Sequence, residues 1–143
     1  MTVNEIAKVL EELAPLAHAE DFDNVGLLVG DPNMKVQGLL VTLDTLENVV
    51  DEAIEKKYNL IVSFHPIIFK GLKKLTGSNY VERVVLKAVA NNIAIYSMHT
   101  ALDNSKMGVN AKICEVLGLK NPEILIPVSY THLRAHETPE HIV

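Results

Sequence analysis

The sequence predicts an α/β fold over residues 1–128, with a mainly parallel sheet flanked by helices. Three observations predict it. Strand and helix patterns alternate from residue 36 to residue 118, the order that builds a parallel sheet through right-handed crossovers. The strand segments are apolar on consecutive residues, as expected when helices cover both sheet faces. Between them, apolar residues recur at helical spacing.

Taken in order, Thr2 and Glu5 form a capping box that opens a helix, with Thr2 as N-cap and Glu5 at the third helical position. Ile6, Val9, Leu10 and Leu13 are its expected apolar stripe, and Pro15 its stop. The loop HAEDFDN leads into the strand VGLLVG, closed by the turn signal Gly30-Asp31-Pro32. VQGLLVTLD is the next strand. TLENVVDEAIEKK then reads as a helix capped by Thr45, with Leu46, Val49, Val50, Ala53 and Ile54 facing the core. Its Lys56 and Lys57 suit the negative end of the helix dipole. NLIVSF is a strand, NYVERVVLKAVANN a helix buried through Val81, Val84, Val85, Ala88 and Val89, and NIAIYSM a strand. VNAKICEVLG is a helix stopped by Gly118.

The chain has 143 residues, is 48% hydrophobic and carries a net charge of −5. That length supports one domain with a real core, and the apolar content excludes a disordered chain. The acidic balance argues against a nucleic-acid surface. No apolar run approaches the ~20 residues that span a bilayer, and MTVNEIAKVLEELAP lacks the apolar region of a signal peptide. Cys114 is the sole cysteine, which rules out an intrachain disulfide and suits a reducing compartment. It reads as a small buried hydrophobe. The expectation is a cytoplasmic protein that binds neither membrane nor nucleic acid.

After Val128 the pattern changes. SYTHLRAHETPEHIV holds three of the six histidines and has no apolar period. A His-rich metal-binding tail is one reading. The string SYTHLRAHET, however, resembles the translation of a sequencing adapter, so residues 129–143 are expected to be non-native. His132, His136, Glu137 and His141 are therefore given no role.

Ligands of a parallel sheet bind beyond the carboxyl ends of its strands. There the sequence places Asp44, His65 and His99, with Asp103 four residues on. Imidazole and carboxylate suit a divalent transition metal such as zinc, iron or manganese. Each residue also has a plainer reading. His65 before Pro66 could be a hydrogen-bonded turn residue, held extended by the proline. Asp44 could serve a helix N-terminus, and Asp103-Asn104 an Asx turn. Convergence of two histidines and two aspartates on one rim favours the metal site. There is neither a GxxxxGK[ST] loop nor a GxGxxG motif. Lys70, Lys73 and Lys74 form a small basic cluster beside the rim, either a solvated loop or an attraction for an anionic substrate.

Four stretches carry a resemblance: DNVGLLVG at 23–30, VTLDTLENVVDEA at 41–53, LIVSFHPIIFKGLKKLTG at 60–77 and IAIYSMHTALDNSKMGVN at 93–110. Together they resemble the Nif-three-like dinuclear metal-centre family, often called GTP cyclohydrolase 1 type 2 homologues. The resemblance implies an α/β fold, a homohexamer and two divalent metal cations. It implies His65 and Asp103 as metal ligands, matching the second His of a His-His pair and the Asp of an HTxLD motif. His99 matches that motif's histidine, beside the metals, and Asp44 stands as a further ligand or supporting residue. Phe64 replaces the first His of the pair, and the family's late His and Glu would lie beyond Val128. The chain thus resembles the N-terminal half of the Nif-three-like fold, with about half of a dinuclear site and some apolar surface left uncovered. The implied function is a metal-dependent hydrolase acting on a nucleotide or other anionic small molecule. The alternative is a non-enzymatic metal-binding oligomer.

Overall fold

A computed structural model describes residues 1–123. The expected tail, with its four candidate side chains, lies outside the described residues. The elements are α1 (Val3–Leu13), β1 (Gly26–Val29), β2 (Leu39–Thr42), α2 (Glu47–Glu55), β3 (Leu60–Ser63), α3 (Tyr80–Ala90), β4 (Ala94–Ser97), α4 (His99–Asp103) and α5 (Val109–Leu117). A 3-10 turn, Leu16–His18, follows α1.

The four strands form one sheet in the order β1-β4-β3-β2. Strands β2, β3 and β4 run parallel, as the strand-helix alternation requires. β1 adds antiparallel to β4, with a register irregularity between Leu27 and Val29. The sheet is therefore mixed: an apolar run such as VGLLVG reveals a strand but not its direction. At the end of β1, Gly30 has φ +106°, and a Cβ there would stand 2.7 Å from the Cα of Ala94. Only glycine allows this approach to β4.

Every residue of β3 and β4 is buried, and alternate residues serve two cores. On one face Ile61 and Ile95 pack with Val50 and Ala53 of α2 and with Val84, Val85 and Ala88 of α3. On the other, Leu60, Val62, Ala94 and Tyr96 pack with Val3 and Ala7 of α1 and Ala101 of α4. Full burial of each large aliphatic side chain contributes roughly 1.5–3 kcal/mol. β2 is one edge of the sheet and stays partly open, with Val41 74% exposed.

The capping box of α1 is present: Thr2 N–H donates to Glu5 Oε2 at 2.8 Å, and Glu5 N–H donates to Thr2 Oγ1 at 3.3 Å. The helix buries Val3 and Ala7, with Ile6 and Leu10 against the same core. Val9 and Leu13, expected in the stripe, are exposed, because the buried face is rotated toward Val3 and Ala7.

Thr45 does not cap α2. The N-cap is Leu46, and Thr45 is buried with its Oγ1 unpartnered. Turned into the core, its hydroxyl cannot reach the free N–H groups of the first turn. Leu46 and Ile54 are partly exposed at the margins of the buried face of α2. In α3, Asn79 is the cap and accepts from Glu82 N–H at 2.9 Å, while Val89 is exposed.

Gly118 ends α5 in the left-handed region at φ +68°, as a helix-stopping glycine should. No residue of α5 is fully buried. Cys114 is half-buried rather than a core residue, because no described element covers the apolar side of the helix. Ile113, Val116 and Leu117 are exposed there.

Candidate metal centre

The strands end one or two residues earlier than expected from the sequence. Thr42 pairs with Ser63, and Ser63 with Ser97, so the last residues of β2, β3 and β4 are in register. Asp44, His65 and His99 each lie two residues beyond that row. The ladder continues into these tips: His65 N–H donates to Leu43 O, and His99 N–H to Phe64 O, both at 2.9 Å. Serine hydroxyls add further bonds to the tip carbonyls. Ser63 Oγ donates to His65 O and Ser97 Oγ to Phe64 O, both at 2.9 Å.

His65 and Asp44 meet directly, with Nδ1 of His65 2.7 Å from Asp44 Oδ1. A carboxylate can only accept, so Nδ1 carries a proton, and in the neutral ring Nε2 keeps its lone pair. His99 is held the same way by Asp23, its Nδ1 lying 2.8 Å from Oδ2 and 2.9 Å from Oδ1. Asp23 also accepts from the Thr100 N–H at 3.1 Å, from the Thr100 hydroxyl, and from Asn24 N–H at 2.7 Å. Its side chain is 0% exposed. Burial pushes this carboxyl up, but the hydrogen bonds from Thr100, His99 and Asn24 outweigh that and leave it below its ordinary value.

His99 has φ +24°, a left-handed conformation rare outside glycine. Such strain persists where the surroundings over-determine it, often at functional sites. Here the ladder bond to Phe64 and the bonds to Asp23 hold it.

The two imidazole rings lie 5.6 Å apart, centre to centre. Phe64, standing where the resemblance implies another histidine, packs 5.0 Å from His65 and 5.5 Å from His99. Asp103 follows His99 on the short helix α4, and residues four apart share a helix face. Burial raises the Asp103 carboxyl above its ordinary value, with the Asp23 charge adding to the rise and any positive charge on His99 or His65 opposing it. No hydrogen bond reaches this carboxylate among the described residues, which leaves no Asx turn there. Asn104 instead donates to His18 O and Glu20 Oε1, both at 2.9 Å.

Asp23 and Thr100 were not singled out from the sequence. Asp23 opens the DNVGLLVG stretch, but its loop has no periodicity and its partners lie 76 and 77 residues away. Only the fold brings them together.

An imidazole with Nδ1 fixed by a carboxylate and Nε2 free is the usual arrangement around a bound metal. His65–Asp44 and His99–Asp23 both have it, and Asp103 offers a carboxylate with no hydrogen-bond partner among the described residues. This donor set fits part of a divalent-metal centre in its chemistry. In number it is incomplete: among the described residues, no three of His, Cys, Asp and Glu are gathered closely enough to hold an ion.

Residues 1–142 match the family described as Duf34/NIF3 (NGG1p interacting factor 3). The chain belongs to the DUF34/NIF3 family. It is 41% identical over 125 residues to a Clostridium acetobutylicum protein named GTP cyclohydrolase 1 type 2 homolog, covering 87% of this chain and 47% of that one. A Staphylococcus aureus (strain COL) protein of the same name is 42% identical over 125 residues, with 87% and 34% covered. A Bacillus cereus protein related to NIF3 has a similar structure, with TM-score 0.83 and 39% identity over 90% of this chain and 36% of that one. A Staphylococcus aureus hypothetical protein gives TM-score 0.81 at 42% identity, with 87% and 36% covered. This DUF34/NIF3 chain spans about half or less of the length of these relatives. None of its described helices is long and apolar enough to cross a membrane.

Proposed function

We propose that this chain carries the sheet-tip half of a metal-dependent hydrolase site that acts on a nucleotide or other anionic small molecule. The observation that carries the reading is the pair of imidazoles, His65 and His99, each fixed at Nδ1 by its own carboxylate. His65 and Asp103 would hold the metal. His99 would complete that set or move a proton at its Nε2, with Asp44 and Asp23 fixing the rings. Zinc, iron or manganese suits these donors. Two such ions, when bound, supply polarisation of a substrate and a hydroxide at neutral pH. The name of the Clostridium and Staphylococcus relatives supports GTP as the first substrate to try. The family resemblance supports a homohexamer, and the single cysteine suits the cytoplasm.

The test is calorimetric titration with Zn²⁺, Fe²⁺ and Mn²⁺, followed by assay of GTP turnover. His65→Ala and Asp103→Ala should each weaken metal binding, and Asp44→Ala should do so by roughly tenfold or more. Unchanged affinity in all three variants would refute the site.

A second reading, a non-enzymatic metal-binding oligomer, is favoured by the incomplete donor count among the described residues. Saturable binding without turnover would select it. Turnover abolished by His65→Ala and Asp103→Ala would reject it.

A further inference from the structure

A groove of about 540 Å³ runs between the loop after β3 and the first turn of α3. Phe69, Lys70, Lys73, Lys74 and Tyr80 line it. The groove is largely open to solvent, so a ligand would lie along it rather than be enclosed. We propose that this groove binds a planar aromatic phosphate of mononucleotide size, with the lysines on the phosphate and the two rings against the aromatic part. The proposal rests on the anionic-substrate reading above and gives that substrate a place.

Charge is the first argument. The chain as a whole carries −5, yet three lysines converge here within five residues. Lys56, Lys87, Lys112 and Arg83 are engaged in ion pairs with Glu52, Asp51, Glu115 and Glu47. Lys70, Lys73 and Lys74 have no such partner among the described residues; Lys8, Lys35, Lys57, Lys106 and Lys120 share that, but no other three lysines stand within five residues. The one acid on the wall, Glu82, is buried. Its carboxylate accepts from Thr76 N–H and hydroxyl at 2.8 and 2.9 Å, from Ser78 N–H and hydroxyl at 3.1 and 2.9 Å, and from Asn79 Nδ2 at 2.8 Å. Its charge is taken up inside the loop, and the same bonds stiffen the floor of the groove.

The second argument is the aromatic surface. Phe69 is 46% and Tyr80 51% exposed, both on the groove wall. Large rings left this open provide flat apolar area for a ligand ring. The third argument is position. Phe69 lies edge-on to His99 at 6.2 Å, and Pro66, next to His65, also lines the groove. A ligand held here by its phosphate lies beside the imidazole pair.

The test is calorimetry of the full chain in excess chelator with guanosine 5′-monophosphate, ribose 5-phosphate and pyrophosphate. The aromatic phosphate should bind tighter than ribose 5-phosphate. Lys70→Ala/Lys73→Ala/Lys74→Ala should weaken both GMP and pyrophosphate by about tenfold or more. Phe69→Ala should weaken GMP and spare pyrophosphate. These side chains are exposed, so folding should be kept, and an unchanged melting curve checks it. Lys73→Glu alone should weaken GMP further than Lys73→Ala. No GMP binding at millimolar concentration, or full affinity in the triple variant, would overturn the proposal. A single-stranded oligonucleotide that binds more tightly than GMP would overturn it in favour of a nucleic-acid surface. Zn²⁺ titration of the same samples separates the two ideas: metal binding without GMP binding fails only this proposal, and the reverse fails only the metal site.

Discussion

Asp23 and His99 are 76 residues apart and meet at 2.8 Å, carboxylate to Nδ1. This contact joins the loop before β1 to the tip of β4 and selects one tautomer of the ring. Asp23→Ala should leave the Thr100 N–H and the His99 Nδ1–H without their acceptor. A fully buried donor so stranded costs roughly 1–3 kcal/mol; these donors are part-buried, so urea unfolding should show a loss of up to about that size. Asp23→Asn keeps an acceptor and should lose less. The ¹⁵N shifts of His99 should report Nδ1–H in the wild type and a tautomer mixture in Asp23→Ala. A ring unchanged in that variant would remove Asp23 from its positioning role.

Glu82 sets a pH dependence. Hydrogen bonds from the backbone of Thr76 and Ser78, then from their hydroxyls, lower its carboxyl from 4.5 to about 2. A depressed folded-state value means the unfolded chain takes up the proton first. The contribution is complete above about pH 4.5 and is lost as pH falls toward 2. Melting temperatures of wild type and Glu82→Gln should differ by a constant amount above that window and converge within it. Parallel curves down to pH 2 would show that the Glu82 charge does not stabilise the loop.

The two-sided core makes a graded prediction. Ile95 is 0% exposed in the centre of the sheet, whereas Val41 on the edge strand is 74% exposed. Ile95→Ala should cost about 2–5 kcal/mol. Val41→Ala should stay within about 0.5 kcal/mol. Chemical denaturation of both variants checks the contrast, and equal losses would mean that β2 is covered in solution.

The capping box predicts a smaller effect. Thr2→Ala removes the acceptor for Glu5 N–H and should cost about 1 kcal/mol. Thr2→Ser should restore most of it. Hydrogen exchange at Glu5, faster in Thr2→Ala and slow again in Thr2→Ser, checks the assignment.

What the sequence by itself determined was what depends on near neighbours. Continuous apolar runs and helical stripes were enough for β2, α2, β3, α3 and β4 in order, because side-chain period is a local property. The Thr2–Glu5 box and the Gly118 stop were legible because caps act within one turn. Asp44, His65 and His99 were legible as a rim because parallel strands in register carry equivalent positions to one edge. Only the tertiary structure decided the rest. Thr45 lost its capping role because core packing turned its hydroxyl inward. Val9 and Leu13 were left exposed because the partner surface, not the helix, chooses the buried face. β1 joined antiparallel because an apolar run has no direction until it pairs. Asp23 came to hold His99, and Phe69 to link the imidazole pair with the lysine groove, through contacts 76 and 30 residues long in sequence. Such contacts leave no periodic mark on the chain, since they are set by how packed elements bring distant loops together.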